Sequence, residues 1–154
     1  MRLRSWHVLG ASAAVVAALL GLTALDFGRP AESEAIDPDD PAQVALGEKL
    51  YGTQCASCHG EDLQGQAEWQ RRRADGTYPA PPHDQTGHTW HHADALLFDY
   101  TKRGGAAVIG GNFKSGMPAF GDRLTDAEIR AVIAFIKSTW PPQIRLRQQE
   151  RDRG

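Results

Sequence analysis

The chain has two cysteines, three positions apart, with a histidine directly after the second: Cys55-Ala56-Ser57-Cys58-His59. Residues of these types at this spacing point to covalent attachment of haem. Each thiol adds across one haem vinyl group, and one helical turn between the cysteines spans the porphyrin edge that carries both vinyls. The histidine then lies under the ring, with an imidazole nitrogen available to the iron. Other chemistries fit the pattern less well. A structural disulfide between Cys55 and Cys58 is compatible with the spacing. A thioredoxin-like redox pair belongs near a βαβ pattern, which the sequence lacks. A four-ligand zinc site needs two more ligands at a partner knuckle, and the chain has no other cysteine.

A second candidate ligand stands far downstream, in Ser115-Gly116-Met117-Pro118-Ala119-Phe120. A lone methionine in a Gly/Pro loop is an odd core residue, and a thioether that completes the coordination of haem iron explains it. The only other methionine is Met1, so Met117 has no rival. Between the two motifs runs Pro82-His83-Asp84-Gln85-Thr86-Gly87-His88-Thr89-Trp90-His91-His92. Three readings of it are open. His83 and His88 hydrogen-bond within the loop while Trp90 packs on haem or bonds a propionate; the histidines hold copper or another metal; or one of them replaces Met117 on the iron. Arg71-Arg72-Arg73 reads as a solvated loop, or as a partner for a propionate or an acidic protein.

Helices must position these residues. Asp40 is a good N-cap and Pro41 suits the first helical position, so a helix runs from there into Cys55, with Val44, Leu46, Leu50 and Tyr51 as its apolar groups. A second helix is expected over about Ala93–Arg103, ended by Gly104-Gly105. The last begins at Thr125, where Thr125 and Glu128 form a capping-box pattern. Ile129, Val132, Ile133 and Ile136 recur at three and four along it, the mark of one buried face. Pro141-Pro142 ends it at Trp140. No run alternates like a strand, so the expected fold is all-α with long irregular loops. The loop from Gly60 to Thr89, stiffened by Pro79, Pro81 and Pro82, is long enough to imply something to cover.

The flanks read differently. Arg2 and Arg4 precede an uncharged stretch from Ser5 to Leu25. Its roughly 21 residues would cover about 30 Å as a helix, the thickness of a bilayer's hydrocarbon core. Basic residues before it and acidic ones after it put the N-terminus inside and the remainder outside. A retained anchor and a cleaved signal peptide both fit. Residues 26–40 form an acidic, proline-broken linker, expected to be extended and mobile. Residues 41–142 hold the globular domain. Residues 143–154, with Arg145, Arg147, Arg151 and Arg153, read as a frayed polar tail or as a contact to anionic lipid or a partner. The 154 residues are 41% hydrophobic and 23% charged with a net charge of −2, ordinary for a globular chain and unlike a nucleic-acid binder.

Taken together, these pieces resemble a monohaem class I c-type cytochrome of the bacterial membrane-anchored or periplasmic kind. The resemblance covers roughly Pro41 to Trp140 and rests on the first helix with Gly47 and Tyr51, on Cys55-Ala-Ser-Cys-His59-Gly60, on Gly116-Met117-Pro118-Ala119-Phe120, and on the last helix with Phe135. It implies that the first and last helices cross near Gly47, with Phe135 packed there. It also implies that a proline carbonyl, of Pro81 or Pro82, accepts a hydrogen bond from the His59 imidazole. The Gln64–His92 stretch is longer and richer in histidine than in the simplest members.

The function expected is electron transfer by one haem c, attached through Cys55 and Cys58 and ligated by His59 and Met117. Two axial side chains leave no open site for a small-molecule substrate. The expected partners are donor and acceptor redox proteins, reached from the periplasmic face of a bacterial inner membrane, or as a soluble periplasmic protein if the leader is cleaved. Two alternatives are a haem subunit of a larger dehydrogenase or oxidase, and a haem sensor or copper-handling protein that uses the histidine stretch.

Overall fold

The structure is a computed structural model and describes residues 35–153; the anchor or signal segment at 1–25 lies outside the described residues. Helix α1 spans Pro41–Gln54 and α2 spans Ala56–His59. After a long loop come a single 3₁₀ turn at Thr89–His91, α3 at Asp94–Arg103 and α4 at Gly105–Ile109. A second loop leads to α5 at Asp126–Ser138 and α6 at Pro142–Asp152. No strand occurs among the described residues, as expected of an all-α fold. Nor is any described helix long and apolar enough to cross a membrane.

The caps form as the sequence implies. Asp40 accepts from the backbone N–H of Ala42 and Gln43, and Pro41 opens α1. Thr125 and Glu128 close a reciprocal capping box at the start of α5. The expected face of α5 is the buried one: Ile129, Val132, Ile133 and Ile136 are all inside.

Helices α1 and α5 make the most extensive helix–helix contact. Gly47 is the reason that they come so close. A Cβ there would overlap the Ala131 carbonyl and stand 2.9 Å from the Phe135 Cβ. Beside the crossing, the Tyr51 and Phe135 rings pack with centroids 5.4 Å apart. Gly47→Ala should therefore push the two helices apart and cost about 2 kcal/mol, as overpacking does. Urea unfolding of the haem-loaded protein measures this, and an unchanged midpoint would show that the crossing is loose.

Two expectations for the flanks need correction. Residues 143–152 are not a frayed tail. They form α6, for which Pro142 serves as an N-terminal proline rather than only as the breaker after α5. Gln148 is fully buried and donates to the His92 carbonyl and to Asp94. Asp152 accepts from the Asp94 N–H. Lys137, whose side chain is only 5% exposed, pairs with Asp94 at 2.6 Å beneath this contact. The end of the linker is also tied down. Gln43 bonds both the Ala35 carbonyl and the Asp37 N–H, Asp39 pairs with Arg145, and Ile36 packs on the core.

Candidate functional site

The cysteine motif sits where α1 hands over to α2. Cys55 caps α1, its N–H bonded to the Tyr51 carbonyl, and α2 carries Ser57, Cys58 and His59 through one turn. Both cysteines are free thiols. Burial pushes the Cys55 thiol up to about 11, above the ordinary thiol range. Gly60, in the left-handed region at φ 84°, ends the turn, and its carbonyl accepts from the Tyr51 hydroxyl at 2.9 Å.

His59 is buried, and desolvation lowers its pKa, which keeps the imidazole neutral and fit to ligate a metal. Its Nδ1 lies 2.9 Å from the Pro81 carbonyl. A neutral imidazole that donates from Nδ1 presents the lone pair of Nε2. The Pro81 carbonyl reaches His59 because Gly65 lets the two backbones touch. A Cβ on Gly65 would lie 2.6 Å from the Pro81 carbonyl carbon and 2.9 Å from the Ala80 oxygen. Of the two candidate prolines, Pro81 makes the contact. Pro82 is buried, lies outside the cavity wall, and accepts from the Thr89 hydroxyl instead.

A cavity of about 840 Å³ opens beside this motif, lined by Cys55, Cys58, His59, Pro81 and Met117 among others. Its floor is apolar, with Leu97, Phe120, Val132 and Ile136. Met117 reaches it on a loop fixed at two points. Ser115 braces the methionine backbone, its hydroxyl 3.1 Å from the Met117 N–H, and the N–H groups of Phe120 and Gly121 bond carbonyls of α3.

Arg73, Lys114 and Arg123 line the cavity, and among the described residues no aspartate or glutamate does. None of the three is in an ion pair with a described residue. Arg73 bonds Gln66, Lys114 bonds the Asp75 carbonyl, and Arg123 lies over the Phe120 ring. An apolar slot with three cations and two free thiols suits a flat hydrophobic group with two carboxylates, which is the chemistry of haem. Of the arginine triplet, Arg73 faces this slot, whereas Arg71 pairs with exposed Glu68 and Arg72 lies over Tyr78.

The histidine stretch divides. His83, His88 and His92 line the cavity, whereas His91 does not. His83 bonds Thr89 within the loop, as one reading anticipated, and His88 stacks on Trp69. Among the described residues no three His, Cys, Asp or Glu side chains are arranged to hold a metal ion. Trp90 was expected to pack on haem or to bond a propionate. It is absent from the cavity wall and stacks on His91 at 3.7 Å, and its buried indole N–H has no partner among the described residues. Arg73 belongs to the triplet for which a propionate was one expected partner, whereas the place of Lys114 was not legible in the sequence, because it is an ordinary charged loop residue until the turn at Asp75-Gly76 packs against it.

The family model described as cytochrome c matches residues 44–140. The chain is similar to the cbb3-type cytochrome c oxidase subunit CcoP of Azospirillum sp. (strain B510), with 32% identity over 97 residues, 63% of this chain and 29% of that protein. It is similar also to CcoP from a strain of Rhodobacter capsulatus, with 27% identity over 101 residues, 66% of this chain and 31% of the relative. It thus spans under a third of the length of the curated relatives that it matches. No solved structure gives a significant match. With one haem-attachment motif in a matched all-helical domain, the chain belongs to the cytochrome c family, as a monohaem class I c-type cytochrome.

Proposed function

We propose that the chain is a one-electron carrier that holds one haem c through Cys55 and Cys58, with His59 and Met117 as axial ligands to the iron. The observation that carries this reading is the shared cavity: both cysteines, His59 and Met117 all line it. Haem, when bound, supplies a reversible ferric–ferrous couple. The chain's residues do the rest. The Pro81 carbonyl orients His59 and strengthens it as a donor. A soft thioether favours the ferrous state and raises the potential. Leu97, Phe120, Val132 and Ile136 keep water from the slot. Two side-chain ligands leave no position for a substrate, so the protein tunes and presents a redox centre and does not transform a molecule. A spectroelectrochemical titration of the purified protein should give a single, fully reversible one-electron wave. Two waves, or an irreversible one, would contradict the assignment.

A second reading makes the domain a haem subunit of an oxidase complex. What favours it is that the curated relatives matched are subunits of cbb3-type oxidases. The uncharged run from Ser5 to Leu25 supports a membrane-held protein whose haem domain faces the bacterial periplasm. High-salt washing should leave the haem protein in the membrane fraction, and a native gel of solubilised membranes separates the two readings. Migration alone supports the carrier, and migration with an oxidase core supports the subunit. Quantitative release by salt, with an N-terminus beyond residue 24, would show a cleaved signal and a soluble periplasmic protein.

A further inference from the structure

His83 is a costly residue to place where it stands. It is part of the cavity wall and only partly exposed. An aliphatic side chain would occupy such a position without a desolvation penalty. Three bonds pin it. Its N–H donates to the Leu63 carbonyl at 2.8 Å, its carbonyl accepts from the Trp140 indole at 2.7 Å, and its Nδ1 lies 2.8 Å from the Thr89 hydroxyl. Held in this way, its ring stacks on the His59 ring, with centroids 4.0 Å apart and planes 22° from parallel. The Tyr51 ring meets its edge at 6.3 Å.

The bond from His59 to Pro81 does not by itself fix the His59 ring. A single hydrogen bond sets where Nδ1 points but leaves the ring free to rock about the Nδ1···O direction. A flat face at stacking distance removes that freedom. The geometry points to His83 as a positioning residue that sets the plane of the His59 imidazole, and through it the electronic axes of the bound iron. This rests on the reading that His59 ligates the iron. The orientation of an axial imidazole over the porphyrin nitrogens decides how the ferric d orbitals split. That splitting is read in the electron paramagnetic resonance g-values and in the spread of the haem-methyl proton resonances.

The test uses ferric haem-loaded protein. Wild type should give one sharp low-spin signal and one set of haem-methyl resonances. His83→Leu fills the volume but offers no flat face, and should broaden the g-values and shift or split the methyl resonances. His83→Phe restores a planar ring without the bond to Thr89, so it should narrow the signals again, as far as the width seen when the Thr89 hydroxyl alone is removed. Thr89→Val keeps every ring and removes the pin, so it should broaden the same signals and provides the readout if His83→Leu fails to retain haem. Wild-type spectra in both His83→Leu and Thr89→Val would overturn the inference while leaving His59 as ligand. So would a perturbation in His83→Leu that His83→Phe does not lessen at all, since it would show that the imidazole acts by something other than its flat face. A wild-type protein without the low-spin signature of an imidazole-ligated ferric haem would overturn the ligand reading, and this inference with it.

Discussion

Replacing Cys55 and Cys58 together by serine is expected to abolish covalent haem retention. Denatured variant protein should release all its colour into acidified organic solvent, whereas wild type should release none. A single substitution should leave haem held by the remaining thioether, with the α-band moved by the vinyl left unsaturated. The double variant should also lose stability well beyond the cysteines' own contacts. The haem slot is a cavity of about 840 Å³ within a small domain, walled by side chains from α1, α2, α3 and α5. Without a tethered occupant those apolar walls have no partner, and so small a domain has little other core to rely on. The expected result is a broad, weakly cooperative unfolding transition by circular dichroism. A double variant that unfolds as sharply as wild type would mean that the polypeptide core is self-sufficient.

Met117→Ala is expected to lower the midpoint potential by something on the order of 0.1–0.2 V, a modest share of the roughly 0.8 V over which axial ligands set haem potentials. The sign follows from softness. The thioether stabilises ferrous iron, so its loss favours the ferric state. The weak long-wavelength charge-transfer band of thioether-ligated ferric haem should vanish as well. Met117 is the only methionine in the described residues, so no second thioether among them can replace it. His88 and His92 line the same cavity and are the available substitutes, whereas His91 lies outside it. His83 is already engaged with His59 and Thr89. An unchanged band and potential in Met117→Ala would move the sixth ligand elsewhere and reopen the sensor and metal-handling readings.

What the sequence revealed of this site is what local chemistry dictates. The cysteine pair and His59 share one helical turn, the caps at Asp40 and Thr125 act within four residues, and the buried face of α5 follows from its periodicity. Met117 stood out because a thioether in a Gly/Pro loop has few other uses. The choice of Pro81 over Pro82 was not legible. It depends on Gly65 letting two distant backbones touch. Helix α6 was missed for a related reason. Pro141-Pro142 ends one helix and begins another, and tertiary contacts hold the second in place: Gln148 buried against Asp94 and the His92 carbonyl, Asp152 on the Asp94 N–H, and Arg145 on Asp39. Trp90, one expected haem contact, shows how a neighbour in the chain can place a side chain. In the 3₁₀ turn its ring stacks on His91, and it is not part of the cavity wall. His83 looked like one of four equivalent histidines, and its stack on His59 is a tertiary contact that no spacing in the chain encodes.

An iron saturated by two side chains can only pass electrons. The most direct measurement is exposure of the dithionite-reduced wild-type protein to carbon monoxide, followed in the visible spectrum. With His59 and Met117 as the proposed ligands, no spectral change is expected at neutral pH, and ready binding is expected of Met117→Ala. Rapid, stoichiometric binding by wild type would contradict this ligation, since an open iron belongs to a sensor or an enzyme and not to a carrier.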